Sequence, residues 1–198
     1  MFKKSLTLSI LLISTLFVFI SCDKIEQRLK SKNLKIGDKV DSLNGVYVYY
    51  NANVGNVKGR NTTADGYNIG LKYQCVEFVK RYYYEHLNHK MPDSYGHAKD
   101  FYEKGLGDGK RSKRRNLIQY SNPSNSKPKV DDLLVFDGTT TNKYGHVAII
   151  SKVTDSKIEI IQQNPGRYGP SRENFKLKQS NGKWKIGNTK ILGWLRKE

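Results

Sequence analysis

Apolar residues are arranged in two ways along this chain: one block near its start, and a dispersed, periodic pattern afterwards. The block is an uncharged, mostly apolar run from Leu6 to Ile20. Further on, Val76, Val79, Tyr83 and Leu87 recur at spacings of three and four, which puts them on one face and predicts a central helix over Gln74 to Leu87. A second short helix is predicted from His97 to Lys104, ended by Gly105. β-Rich runs predict strands at Val46 to Tyr50, Leu133 to Phe136, His146 to Val153, Lys157 to Gln163, Asn174 to Leu177 and Ile191 to Leu195. Residues 51–72, rich in Gly and Asn, read as a loop or broken elements, and a basic Ser/Asn/Pro-rich loop runs to Lys129. Helices followed by successive short strands predict an α+β domain, with N-terminal helices packed on an antiparallel β-sheet.

The initial block bears on the compartment. Lys3 and Lys4 precede it and small Ser21 and Cys22 follow it, the layout of a secretory signal too short to span a bilayer. The ending Phe19-Ile20-Ser21-Cys22 resembles a bacterial lipoprotein cleavage box, which implies cleavage before Cys22 and lipid attachment to its sulfur. Each buried methylene of such a lipid contributes about 0.8 kcal/mol of membrane binding. Phe19 stands where a leucine-like residue is usual, so ordinary secretion is the alternative. The expected organisation is a lipoprotein signal peptide over 1–21, a polar, lysine-rich tether over 22–40 and one domain over 41–198. The protein would then be an exported, membrane-anchored lipoprotein of the bacterial cell envelope.

Charge narrows the partners. Of 35 Lys and Arg, two lie in the leader, leaving 33 against 18 acids and a mature charge of +15. Such an excess favours an acidic partner surface. The run Lys110-Arg111-Ser112-Lys113-Arg114-Arg115 is either a solvated loop or a contact for anionic lipid, wall polymer or nucleic acid. Thirteen tyrosines beside this charge suit base stacking, but export argues against nucleic acid. The oligomeric state is left open.

With the Cys22 sulfur assigned to lipid attachment, Cys75 has no disulfide partner. A solitary thiol in an exported protein that also offers an imidazole is a candidate nucleophile; the alternative is a buried cysteine acting as a small apolar residue. At a helix start, unpaired N–H groups and the positive dipole end are expected to favour the thiolate. His86 and His89 lie about 16 and 21 Å along the same helix, out of reach, and His97 reads as a cap or solvated residue. His146 follows Gly145 and opens the most hydrophobic strand, which makes it the expected general base. Its ring needs a partner, and Gln162 and Asn164 share a face of the next strand. A three-residue turn, Thr154-Asp155-Ser156, would set Val153 opposite Lys157 and His146 opposite Asn164, whereas a two-residue turn would bring Gln163 to the histidine's face. The odd-length turn is the expectation. No close spacing of histidines and cysteine calls for a metal or other cofactor.

Gln74-Cys75-Val76-Glu77-Phe78, Gly145-His146-Val147-Ala148-Ile149-Ile150, Gln163-Asn164 and Ile191-Leu192-Gly193-Trp194-Leu195 resemble the cysteine- and histidine-dependent amidohydrolase/peptidase family, called CHAP. The wording lies nearest the amidase domain of glutathionylspermidine synthetase/amidase. The resemblance runs from about Val46 to Leu195. It implies a papain-like fold in which Cys75 attacks an amide carbonyl, His146 carries the proton to the leaving amine, and Gln74 with the Cys75 backbone N–H holds the oxyanion. Such a donor contributes about 3 kcal/mol. It also implies that Asn164 orients the imidazole. Where the family has Glu-Gln-Asn, this chain has Gln162-Gln163-Asn164, so a charge is lost. Asp132 matches a family aspartate and reads as structural.

The expected function is therefore a lipid-anchored cysteine amidase or endopeptidase acting on amide bonds of peptidoglycan. The alternatives are an amidase for small glutathionylspermidine-type amides and a catalytically inactive cell-wall-binding lipoprotein, for which Gln162 is the best argument.

Overall fold

The computed structural model describes residues 31–198; the expected leader and the Cys22 attachment point lie outside them. Eight strands form one sheet: β5 (Lys110–Ser112), β6 (Leu117–Ser121), β7 (Leu133–Phe136), β8 (His146–Val153), β9 (Lys157–Ile161), β10 (Arg172–Ser180), β11 (Lys183–Ile186) and β12 (Ile191–Arg196). Their order is β11-β10-β9-β8-β7-β12-β6-β5, antiparallel at every pairing. Ser124, just past β6, exchanges backbone hydrogen bonds of 3.0 and 2.7 Å with Trp184 of β11. Opposite flanks of the sheet therefore meet, and the sheet curls. Two small hairpins stand apart, β1 (Lys39–Leu43) with β2 (Val46–Tyr49) and β3 (Arg60–Thr62) with β4 (Asn68–Leu71).

Strand alternation divides the core in two. On one face, Leu133, Val135, Val147 and Ile149 pack beneath the helix α1 (Cys75–Glu85), which contributes Phe78, Val79, Tyr82 and Tyr83. On the other, Leu134, Ala148, Ile150, Ile160 and Trp194 face the inside of the curl and meet Phe175 and Ile186. Each fully buried side chain of this size contributes roughly 1.5–3 kcal/mol, and Phe78→Ala would cost about 3–5 kcal/mol by leaving a cavity beneath the helix. The chain leaves α1 after His86, whose N–H bonds Tyr82 O, and Asn88 turns it away at φ 47°. Among the described residues no helix is long and apolar enough to cross a membrane.

The α+β class and the antiparallel sheet agree with the sequence reading. The expected plural N-terminal helices do not: α1 is the one α-helix lying wholly within the described residues. The second helix is a single 3₁₀ turn, Ala98–Phe101, in which only Ala98 and Phe101 are buried. A spacing of three supports a three-residue turn and gives no second turn anything to pack. The basic loop contains the β5–β6 hairpin. Its alternation was hidden because the inward residue Gln119 is polar: its Oε1 accepts from Glu103 N–H, and its Nε2 donates to the Glu103 and Leu106 carbonyls.

Candidate active site

Cys75 opens α1, where it is 9% exposed and unpaired by any disulfide. His146 opens β8. Gly145 before it has φ +74°, and a Cβ there would lie 2.5 Å from Phe136 O and 2.8 Å from Lys99 Cβ, so only glycine brings the strand in at this angle. Cys75 and His146 line one cleft of about 710 Å³. The backbone N–H of Val147, next to His146, points to the Cys75 sulfur, as do those of Val76 and Cys75 itself.

The imidazole is fixed from behind. His146 Nε2 lies 2.9 Å from Gln162 Oε1, and Gln162 Nε2 donates to Pro170 O at 3.1 Å. A carbonyl can only accept, so Pro170 settles which end of the amide faces the ring, and the amide oxygen settles that Nε2 carries the proton. Nδ1 is left as the nitrogen able to take a proton from a thiol.

Gln162 shares the histidine's face by an unexpected route. Val153 pairs with Ile158, an even-length turn, and a bulge between Ile150 and Lys152 then shifts the register by one. Ile149 consequently pairs with Ile161, as the odd-length turn would have placed it. Two deviations cancel in parity.

Asn164 makes no hydrogen bond to the ring. At φ 57° it leaves the strand direction, and its Nδ2 donates to Gln74 Oε1 at 2.9 Å and Val54 O at 3.2 Å. Both N–H groups of Gln74 are spent on the Asn56 and Val54 carbonyls, at 2.7 and 3.0 Å. In this arrangement Gln74 and Asn164 shape the cleft wall, and the donors at the nucleophile are backbone N–H groups.

Burial opposes ionisation on both sides. It pushes the Cys75 thiol up to about 11, against the pull of the Val147, Val76 and Cys75 N–H groups. It pushes His146 down to about 4, against the hydrogen bond to Gln162. Desolvation outweighs the helix N–H groups at Cys75, a balance that runs against the thiolate expected at the helix start. Both shifts favour a neutral thiol beside a neutral imidazole.

Glu77 is a hub that sequence reasoning missed. Buried at 1% exposure, it pairs with Arg81 at 2.7 Å, accepts from Asn61 Nδ2 at 2.8 Å and from Gln163 Nε2 at 2.8 Å. Gln163 Oε1 in turn accepts from Tyr49 N–H at 2.8 Å, and Arg81 donates to Tyr47 O at 2.8 Å. One carboxylate thus binds α1, the β3–β4 hairpin and the segment after β9. The i,i+4 spacing of Glu77 and Arg81 was a readable signal for the pair. Asp132 lies away from the cleft in a two-pronged ion pair with Arg196, at 2.8 and 2.7 Å. His97 is the exposed N-cap of the 3₁₀ turn, as read from the sequence, and it also lines the cleft, its ring 4.6 Å from that of Tyr144.

The cleft continues past His146 into a second hollow of about 460 Å³, which it shares with Gly145, Asn142, Asn164 and Val54. The first arm is walled by Arg60, Tyr95 and Tyr144, the second by Asp137, Glu173 and Lys190. A chain laid in this groove would extend to both sides of the imidazole.

Residues 64–164 match the model of the CHAP domain. The chain is similar to trypanothione synthetase of Crithidia fasciculata, 30% identical over 132 residues, and to glutathionylspermidine synthase of the same organism, 31% identical over 100 residues. These matches take in 65% and 50% of this chain but only 20% and 14% of the relatives, so the chain spans a small part of either. The match over half of the sequence, bracketing both Cys75 and His146, places this chain in the CHAP domain family.

Proposed function

We propose that this protein is a cysteine amidase or endopeptidase that hydrolyses amide bonds in peptidoglycan, held at the cell envelope by a lipid on Cys22. The observation that carries the chemistry is the shared cleft: Cys75 and His146 line it together, and the ring presents a basic Nδ1 because Gln162 occupies Nε2–H. The helix carrying the nucleophile packed on the sheet carrying the histidine is read as a papain-like arrangement.

In the proposed reaction the Cys75 S–H proton passes to His146 Nδ1 as the sulfur attacks the amide carbonyl. The oxyanion is held by the Cys75 backbone N–H, with Gln74 joining on release of one of its carbonyl partners. The carbon–nitrogen bond breaks, the imidazolium returns its proton to the departing amine, and a thioester remains. Water, deprotonated by His146, then attacks the thioester and frees the carboxylic acid and the thiol. Starting from neutral partners, the proton transfer must accompany the attack rather than precede it.

The second arm of the groove favours an extended substrate over a small one. The similarity to the two Crithidia proteins supports a second reading, hydrolysis of small glutathionylspermidine-type amides. The test incubates the protein with purified peptidoglycan and, separately, with glutathionylspermidine, with and without a thiol alkylator, and measures new amines. Release from the wall that vanishes in Cys75→Ala supports the first reading; release from the small amide alone supports the second. Wall binding with no release from any wall type would make the protein an inactive binder.

A further inference from the structure

One wall of the cleft gathers positive charge. Arg60 of β3 pairs with Leu71, four residues before Cys75, and its side chain is exposed to the cleft. One of its N–H groups donates to Asn68 Oδ1 at 2.9 Å, and the guanidinium lies 5.9 Å from the centre of the Tyr95 ring. Its remaining donors have no protein acceptor among the described residues. Two buried cations stand behind the same wall. Lys80 Nζ donates to the Asn68 carbonyl and, at 3.0 Å, to Ser94 O; Arg115 donates to the Asp93 carbonyl and, at 3.0 Å, to Tyr95 O. Two acids stand nearby and both are engaged, Asp93 by Arg114 at 2.8 Å and Asp100 by the His97 N–H at 2.9 Å. No Asp or Glu lines this arm.

The wall is also rigidly placed. Asn61, beside Arg60, donates to Glu77 Oε1, and Gly70 packs so tightly on α1 that a Cβ there would lie 3.0 Å from Glu77 Cα. Arg60 is therefore fixed relative to a residue only two positions from Cys75. An arginine with free donors in an arm of the cleft that no carboxylate lines is poised for a charge-assisted, two-pronged bond to an anion.

We propose that Arg60 is a specificity residue that takes a free carboxylate of the substrate into its arm of the cleft, setting an anionic group beside the amide presented to Cys75. This deepens the amidase reading and rests on it for the bond that is cut. Lys80 and Arg115 act as positioning residues that hold the Ser94–Tyr95 backbone and add to the field.

The test separates binding from turnover. Calorimetry on the full chain carrying Cys75→Ala compares two short wall-stem peptides, identical except that one ends in a carboxylate and its twin in a carboxamide. The carboxylate peptide is expected to bind at least about tenfold tighter at low salt, with the gap narrowing as salt screens it. Adding Arg60→Gln should shrink the gap to about twofold, and Arg60→Lys should restore part of it. Equal affinity for the twins, binding of neither, or a gap that survives Arg60→Gln overturns the proposal. A gap that persists in a protein cutting no wall amide would instead sink the amidase reading and leave the carboxylate site standing.

Discussion

His146 Nε2 and Gln162 Oε1 meet at 2.9 Å, and the other end of that amide is spent on the Pro170 carbonyl. The general base proposed here is thus oriented by a neutral dipole. A dipole fixes the tautomer as well as a carboxylate would, but it stabilises the imidazolium less. That difference accounts for how far burial pushes the ring's pKa down.

Replacing Gln162→Glu places a charge where this chain has a dipole. The carboxylate should raise the His146 pKa from about 4, so the acid limb of kcat/KM moves to higher pH in the variant. The loss is the bond to Pro170 O, which costs about 1–3 kcal/mol of stability. Turnover near neutral pH is expected to be preserved or raised, since a better-stabilised imidazolium lowers the barrier to proton transfer. The check is a pH–rate profile of amine release from wall for both proteins. A collapse of turnover with the fold intact would show that the neutral amide is required.

With its pKa pushed up to about 11, the Cys75 thiol should react slowly with iodoacetamide at neutral pH and faster, in proportion to hydroxide, as pH rises toward that value. The measurement is the alkylation rate of the full chain against pH, with Cys75→Ala as the blank. A plateau reached below neutral pH would reveal a thiolate–imidazolium pair in the resting enzyme and contradict the neutral pair.

Much of this site could be read from sequence because its logic is local. The period of α1 and the run from His146 were strong enough to fix both elements, and the position of Cys75 at the helix start followed. The partner of His146 was less legible. Parity was obtained through a bulge at Ser151 that no hydrophobic pattern announces, and the positive φ of Asn164 swings that amide toward Gln74. The remaining misses share a cause: buried polar residues. Gln119, Glu77, Lys80 and Arg81 are all at most 5% exposed, and apart from the Glu77–Arg81 pair the groups that satisfy them lie far away in sequence, where no local pattern announces them. Charge patterning left the Lys110–Arg115 run as a solvated loop or a contact for an anionic partner, yet Arg115 is 1% exposed against the Phe101 ring.

Acid stability tests the half-buried, neutral ring. The folded protein holds His146 at about 4, whereas the unfolded chain titrates near 6.5, so the unfolded state binds the extra proton between these values. The stability this provides is complete above 6.5 and is lost as pH falls toward 4, a total of about 3 kcal/mol. Urea midpoints of the wild type should therefore fall more steeply across this window than those of His146→Gln. Parallel slopes would mean that the ring is solvated in the folded protein.

The Glu77 hub predicts a stability coupling that its neighbours cannot supply. Glu77→Gln leaves Arg81 buried without its counter-ion, and removing one partner of such a pair costs about 3–5 kcal/mol. Arg81→Gln strands the carboxylate in the same way, although Asn61 and Gln163 still donate to it. In the double variant neither charge is stranded, so its loss should be smaller than the sum of the two single losses by at least about 1 kcal/mol. Denaturant midpoints of the four proteins complete the cycle. If the losses simply add, Glu77 acts through Asn61 and Gln163 rather than through Arg81. The cleft would then be held together by the amide bonds and not by the ion pair.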